Sequence, residues 1–314
     1  MSSDGGAVWT QIDSMWYNEG GCVLVHPESA NVVITGGQTE PGYFGVSVSR
    51  DSGMTWTRFT LWSSYADFCY SLAIAPSQPR VVYAGGRGSF AGIVFRSTDL
   101  GGSWQRTASA PAYDVFGLAV HPNDAATVIA ASAGGIYRTT DSGTNWTQVD
   151  STLGFHSVRF LDGYDVAAGG DSGVVFSTDG GADWYDICAG PEGAGISCLD
   201  FLEPPENSMI VGTHGASCWL WDPDAGLQET MNDGRETMTA CATVVRGMLS
   251  LGADSRQHSA YRADLLDAAG RSVMRLQAGA NDVSRLAPGV YFAREQSASS
   301  RQHSGIVHKV VIAR

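Results

Sequence analysis

Five carboxylates stand in one chemical setting at near-regular intervals along this 314-residue sequence. Asp4, Asp51, Asp99, Asp141 and Asp179 each lie two positions after a hydroxyl residue (Ser2, Ser49, Ser97, Thr139, Ser177). Each also lies two positions before a glycine (Gly6, Gly53, Gly101, Gly143, Gly181) and five before a tryptophan (Trp9, Trp56, Trp104, Trp146, Trp184). Repeated carboxylates invite a reading as general acids or metal ligands. The surrounding residue types argue for a turn instead. A carboxylate can accept bonds from backbone N–H groups just downstream, and glycine supplies a positive φ without a Cβ clash. Tryptophan then opens the next strand and buries its indole between sheets, worth about 2–3 kcal/mol by area. These twenty residues are therefore assigned a structural role.

The elements that must hold these turns repeat in step. Trp-to-Trp spacings of 47, 48, 42 and 38 residues match a four-stranded propeller blade, whose period is about 40–45 residues. VLVHP (Val23–Pro27), LAIAP (Leu72–Pro76) and LAVHP (Leu118–Pro122) read as an innermost strand A, apolar on both faces. NVVITGG from Asn31, RVVYAGG from Arg80 and TVIAASAGG from Thr127 read as strand B. GVSVSRDSG, GIVFRSTDLG and GIYRTTDSG read as strand C entering the turn. Phe155–Ile187 fits as a looser fourth blade, and Ile196–Trp221 as a fifth that has lost the motif. His26 and His121, each before a proline at the same repeat position, read as strand-end residues.

Residues 1–230 thus resemble the Asp-box (BNR-repeat) propellers: bacterial sialidases, xyloglucanase-type glycosidases, sortilin and the photosystem II assembly-factor propellers. The motif is specific for fold and poorly specific for activity. In that family the box Ser ends strand C, so the strand ending at Ser2 is expected to have its body upstream of Met1. An N-terminally truncated reading frame is the simplest account, and it also explains why no signal peptide is seen. Five blades would suffice if Trp9–Ser14 completed the fifth.

After a polar stretch, Asp222–Glu236, the character changes. Residues 1–235 carry a net charge of −17 and residues 236–314 one of +4, within a total of −13. Val244–Leu251, Tyr261–Leu276, Ala287–Glu295 and His308–Arg314 read as short strands, with hairpin turns at Asp267–Arg271 and Pro288–Gly289. LLDAAGRSV, LAPGVYF and the terminal KVVIAR are together similar to C-terminal sorting domains of type IX secretion cargo. That resemblance implies a sandwich over residues 237–314, passage through the type IX machinery, and a secreted or outer-membrane-surface location. The expected fold class is all-β: an Asp-box propeller followed by a small immunoglobulin-like β-sandwich.

Composition narrows the function. Charged residues are 16% and glycines number 39, which favours short strands and tight turns. An acidic propeller argues against nucleic acid as partner, and no apolar run is long enough to span a bilayer. The six cysteines (Cys22, Cys69, Cys188, Cys198, Cys218, Cys241) show no metal-ligand spacing and their pairing cannot be read; oxidation after export and buried free thiols both stay open. No nucleophile-elbow, zincin, phosphate-loop or EF-hand pattern is found. The Arg-Ile-Pro of sialidases is missing, and no cofactor or metal site is expected. With the boxes on the C–D turns, the D–A and B–C connections crowd the opposite face. There Trp16, Tyr17, Glu19, Glu40, Tyr43, Phe44, Tyr65, Asp67, Arg87, Phe90, Tyr113 and Asp114 mix aromatics with charges. That mixture suits an extracellular glycan or protein ligand, unless the aromatics pack blades together. The expected function is a non-catalytic binding or structural module. The alternative is a fragment of an extracellular glycosidase, xyloglucanase- or sialidase-like.

Overall fold

Apolar residues alternating between glycine-bounded turns form strands throughout, and the described residues contain no helix. The computed structural model describes residues 2, 6–10, 21–39, 42–62, 67–89, 91–187, 195–201, 209–214, 218–222, 226–229, 243–245, 248–251, 262–267, 271–277, 279–295 and 307–312. The chain forms two compact units, Met1–Gly163 and Tyr164–Arg314.

The first unit holds three antiparallel four-stranded sheets, each with its strands in chain order. They are β1 (Cys22–Val25), β2 (Val33–Thr39), β3 (Tyr43–Ser49) and β4 (Thr57–Trp62); β5 (Phe68–Ala75), β6 (Gln78–Gly88), β7 (Ala91–Ser97) and β8 (Gln105–Arg106); and β9 (Val115–Val120), β10 (Val128–Ser132), β11 (Gly135–Thr139) and β12 (Thr147–Asp150). Strand β13 (Phe155–Phe160) ends this unit. Neighbouring sheets share cores. Ile34, Val46 and Val48 of the first pack with Val82, Ile93 and Phe95 of the second, and Tyr83 and Val94 pack with Leu118, Val128 and Ala130 of the third.

The second unit continues with the β14 (Val166–Gly170), β15 (Gly173–Ser177) and β16 (Tyr185–Asp186) meander. A further sheet follows in the order β17 (Ile196–Phe201), β18 (Met209–Thr213), β19 (Cys218–Asp222), β20 (Gly226–Glu229). The last strand corrects one expectation. Gly226–Glu229 takes the fourth place that Trp9–Ser14 was expected to fill. It lies inside the polar stretch Asp222–Glu236, because an outermost strand leaves one edge open and tolerates polar residues. Residues 11–14 lie outside the described residues.

The C-terminal strands are β21 (Thr243–Val245), β22 (Met248–Leu251), β23 (Arg262–Asp267), β24 (Ser272–Gln277), β25 (Gly279–Asp282), β26 (Gly289–Glu295) and β27 (Val307–Ile312). Five form a sheet in the order β21-β27-β26-β23-β24, with β21 parallel to β27, and β22 pairs with β25. Leu265, Leu276, Tyr291, Val310 and Ile312 make its core. Asp267 closes the β23–β24 turn by accepting the Arg271 N–H at 2.9 Å and its guanidinium at 2.7 Å.

The repeated carboxylates do what their spacing predicts. Asp51, Asp99 and Asp141 each accept the N–H four residues on, at 2.8 Å, and Asp179 accepts those of Ala182 and Asp183. The hydroxyl residue donates to that carboxylate at 2.8 Å and accepts the glycine N–H at 2.8–3.0 Å. Gly6 and Ser2 make the same clasp at 2.9 Å, whereas Asp4 lies outside the described residues. The residue before each glycine also has positive φ: Ser52, Leu100, Ser142 and Gly180 at 60°, 62°, 62° and 74°. This twist aims its N–H at the A–B corner of the same repeat, where the carbonyls of Asn31, Ala126 and Tyr164 in the connection and of Arg80 early in β6 accept it at 2.7–3.0 Å. Trp56, Trp104, Trp146 and Trp184 are half-buried rather than fully enclosed, because the indole lies against its own turn: Nε1 of Trp56 and Trp184 donates to the Gly53 and Gly181 carbonyls. Trp9 is 74% exposed. His26 and His121 are strand-end residues as expected, each Nδ1 accepting the N–H two residues on at 3.1 Å.

These turns should make the protein acid-sensitive. The Thr55 and Ser103 hydroxyls, ahead of the backbone bonds, hold the Asp51 and Asp99 carboxyls down at about 2, against an ordinary 3.8. A carboxyl depressed on folding contributes stability above its unfolded value and loses it as pH falls through the folded one. The thermal midpoint, followed by circular dichroism, should therefore drop between about pH 4 and pH 2. Asp99→Asn should flatten that slope; an unchanged slope would show that the turns do not carry it.

Candidate functional site

The face opposite the repeated turns is built by connections after the second and fourth strands. The structure divides the twelve residues expected there. Trp16, Tyr17, Glu19, Glu40, Tyr65 and Phe90 lie outside the described residues. Two others prove to be packing residues. Phe44 is fully buried, its ring 5.3 Å from that of Phe95, because the period of two along β3 turns it into the core between sheets. Asp67 is 1% exposed. Its carboxylate accepts the Ser89 N–H at 2.7 Å, its carbonyl accepts the Gln38 side-chain N–H at 2.8 Å, and its own N–H donates to the Gly42 carbonyl. Asp67 thus braces three connections.

Tyr43, Arg87, Tyr113 and Asp114 remain at least partly accessible. Tyr43 opens β3 opposite Thr39. Tyr113 is exposed but lies against Gly134, where a Cβ would fall 2.0 Å from its ring. Arg87, at the end of β6, approaches the Asp114 carboxylate to 3.7 Å and stands 6.0 Å from the centre of the Tyr70 ring. Burial pushes the Asp114 carboxyl above its ordinary value, and Arg87 opposes that shift.

Tyr70 belongs to a row that the sequence reading missed. Ring centres run from Phe68 to Tyr70 at 4.7 Å, Tyr70 to Phe116 at 5.3 Å and Phe116 to His156 at 5.3 Å. Tyr70, Phe116 and His156 occupy the same place in the first strands β5, β9 and β13, two residues before Leu72, Leu118 and Val158. The ladders explain the row. Cys69 faces Gly86 and Ser71 faces Gly85, so Tyr70 is the extra residue of a β-bulge; Phe116 is extra between Val115 and Gly117 in the same way. A bulge re-aims its side chain out of the pleat's alternation, and all three rings are half-buried. Aligned repeats would have shown three rings at one position, but a bulge is set by the partner strand.

Between the fourth strands of the first two blades, Trp62 donates through Nε1 to the Ser89 hydroxyl at 3.1 Å, and the Arg106 guanidinium lies 4.5 Å from its ring centre. Flat apolar faces beside an ion pair can stack on a sugar ring or an amide plane and hydrogen-bond its polar groups. Among the described residues no group of three or more His, Cys, Asp or Glu is placed to hold a metal.

This arrangement of blades is that of a β-propeller, and solved structures agree. The GH74 xyloglucanase of Xanthomonas campestris aligns with a TM-score of 0.53 and 15% identity over 93% of this chain and 45% of its own. An ancestral GH74 enzyme gives 0.54 and 17% over 96% and 39%. The GH74 enzyme of Niastella koreensis gives 0.50 and 17% over 65% and 35%. The chain spans less than half the length of each. At these identities the likeness defines the fold and leaves the chemistry open. No protein-family model matches the sequence, and no curated protein matches it.

Proposed function

We propose that this chain is an extracellular Asp-box propeller that binds a glycan or an extended peptide, without catalysis, on the face made by its D–A and B–C connections. The observation that carries the reading is the row Tyr70–Phe116–His156, its first two rings borne on bulges, with the Arg87–Asp114 pair beside Tyr70. A row of half-buried rings with hydrogen-bonding groups at its margin matches the general anatomy of small-ligand sites. Residues 1–230 form the propeller in this reading. Residues 237–314 form the sorting domain, engaging type IX secretion machinery and delivering the protein to the medium or outer-membrane surface. The terminal strands β26 and β27, which carry the LAPGVYF and KVVIAR motifs, pair with each other.

A second reading, a glycosidase fragment, is favoured by one observation: Asp114 is partly buried within 3.7 Å of Arg87, and burial shifts its carboxyl upward, the direction a general acid needs. One experiment separates the two. The full chain is applied to glycan and peptide arrays, and every glycan retained is assayed for release of reducing ends. Retention without hydrolysis is expected. Hydrolysis abolished by Asp114→Asn in a folded protein would establish the enzyme instead, and no retention on either array would sink the binding reading. For the sorting domain, a periplasmic reporter fused to residues 237–314 should reach the surface only in cells with type IX machinery.

A further inference from the structure

Cys22 and Cys69 lie far apart in sequence but meet where the first strands of the first two blades run side by side. Cys22 sits in β1 and Cys69 in β5, with their Sγ atoms 4.0 Å apart and both thiols free. The Cys22 thiol also lies 3.8 Å from the Cys69 carbonyl, and the Cys69 thiol 3.7 Å from that of Ser71. The room they share is left by Gly36 of β2. A Cβ there would fall 2.5 Å from the Cys69 sulfur and 2.6 Å from the Cys22 sulfur. At the equivalent place in the second blade, Gly85 faces Leu118 and Val115 of the next first strand. The first blade presents two sulfurs in that position.

We propose that Cys22 and Cys69 are a modification site: a dithiol that closes into a disulfide joining the first two blades. The half-buried Cys22 reacts first. Its thiolate attacks a sulfur of a small-molecule disulfide such as oxidised glutathione, forming a mixed disulfide and releasing one thiolate. Cys69 then gives up its proton to solvent and attacks the Cys22 sulfur, releasing the second thiolate. Two protein thiols lose two protons and two electrons, and one disulfide is reduced to two thiols. Cys69 is wholly buried, and burial pushes its thiol well above the ordinary range, so the second step is the slow one. The bond closes a loop between residues 47 apart in sequence, a length at which a cross-link constrains the unfolded chain strongly.

Formation in the cell rests on the extracellular location proposed above, whereas the chemistry is tested without it. The purified full chain is incubated with oxidised and reduced glutathione, alkylated and mapped by non-reducing peptide mass spectrometry. A Cys22–Cys69 peptide lacking two hydrogens is expected, with a thermal midpoint at least about 5 °C above the reduced form. Cys22→Ser and Cys69→Ser should each fold and abolish that difference. Glutathione persisting on Cys22, or both cysteines remaining open to alkylation while others pair, would overturn the proposal. So would an oxidised form no more stable than the reduced one. Protein recovered from cells with both thiols free, yet able to cross-link in vitro, would support the site and count against the extracellular location.

Discussion

Gly86→Ala is expected to yield mostly insoluble protein, with any folded fraction melting more than about 10 °C below wild type. Gly86 lies in β6, opposite Cys69 on β5 and Ile93 on β7. A Cβ there would stand 1.9 Å from the Phe68 carbonyl oxygen, 2.9 Å from its carbon and 3.0 Å from the Phe44 ring. The obstacle is backbone, so no rotamer change relieves it. Phe68 is itself pinned in the β5–β6 ladder opposite Arg87. Opening that ladder would disturb the bulge that presents Tyr70. Overpacking and backbone displacement together cost more than about 3 kcal/mol. Gly42→Ala is the control. Its φ is +113°, but nothing lies within 4 Å of the added methyl, so only the conformational cost of about 1–2 kcal/mol applies. Equal losses at the two positions would show that strain, and not the clash, decides the outcome.

Arg87→Ala should weaken ligand retention by at least about tenfold while leaving the fold nearly intact. The guanidinium is the cation beside the Tyr70 ring and the partner of Asp114. Its side chain is 37% exposed, and a pair so exposed to water contributes less than about 1 kcal/mol to stability. The midpoint should therefore move by only a few degrees. Without Arg87, burial alone acts on Asp114 and its carboxyl titrates higher still. A carboxyl raised on folding destabilises at high pH, so the variant should regain stability as pH falls through that carboxyl's range. Surface plasmon resonance on the array hits, with melting curves across pH, reads both effects. A large drop in midpoint with unchanged affinity would make Arg87 a packing residue and leave the ligand face elsewhere.

The period of the Ser/Thr-Asp-Gly-Trp motif was enough to place every described repeat turn, because each such turn is local. Its hydroxyl, carboxylate, glycine N–H and indole all lie within eight residues of chain. The two-residue alternation of the strands was legible for the same reason. What the motif could not show was the second left-handed residue at Ser52, Leu100 and Ser142. Its partner is a carbonyl 16 to 21 residues upstream, at Asn31, Arg80 and Ala126. The fifth blade's outer strand, Gly226–Glu229, has no strand signal in the sequence because an edge strand needs no apolar signature of its own.

The candidate site divides along the same line. Sequence alone proposed the face, since strand order and repeated turns determine which connections lie opposite them, and it named Arg87 and Asp114 among the candidates. Tertiary structure decided which residues stay accessible there. Asp67 and Phe44 turned inward because neighbouring connections and the adjacent sheet required a brace and a packing ring at those points. Tyr70 and Phe116 left the strand alternation because bulges opposite Gly85–Gly86 and Ala131–Ser132 shift the pleat by one residue. The Cys22–Cys69 pair likewise exists only where adjacent first strands meet across Gly36. Local hydrogen bonding writes its rules into a few consecutive residues, whereas register and inter-blade packing are set by residues dozens of positions away.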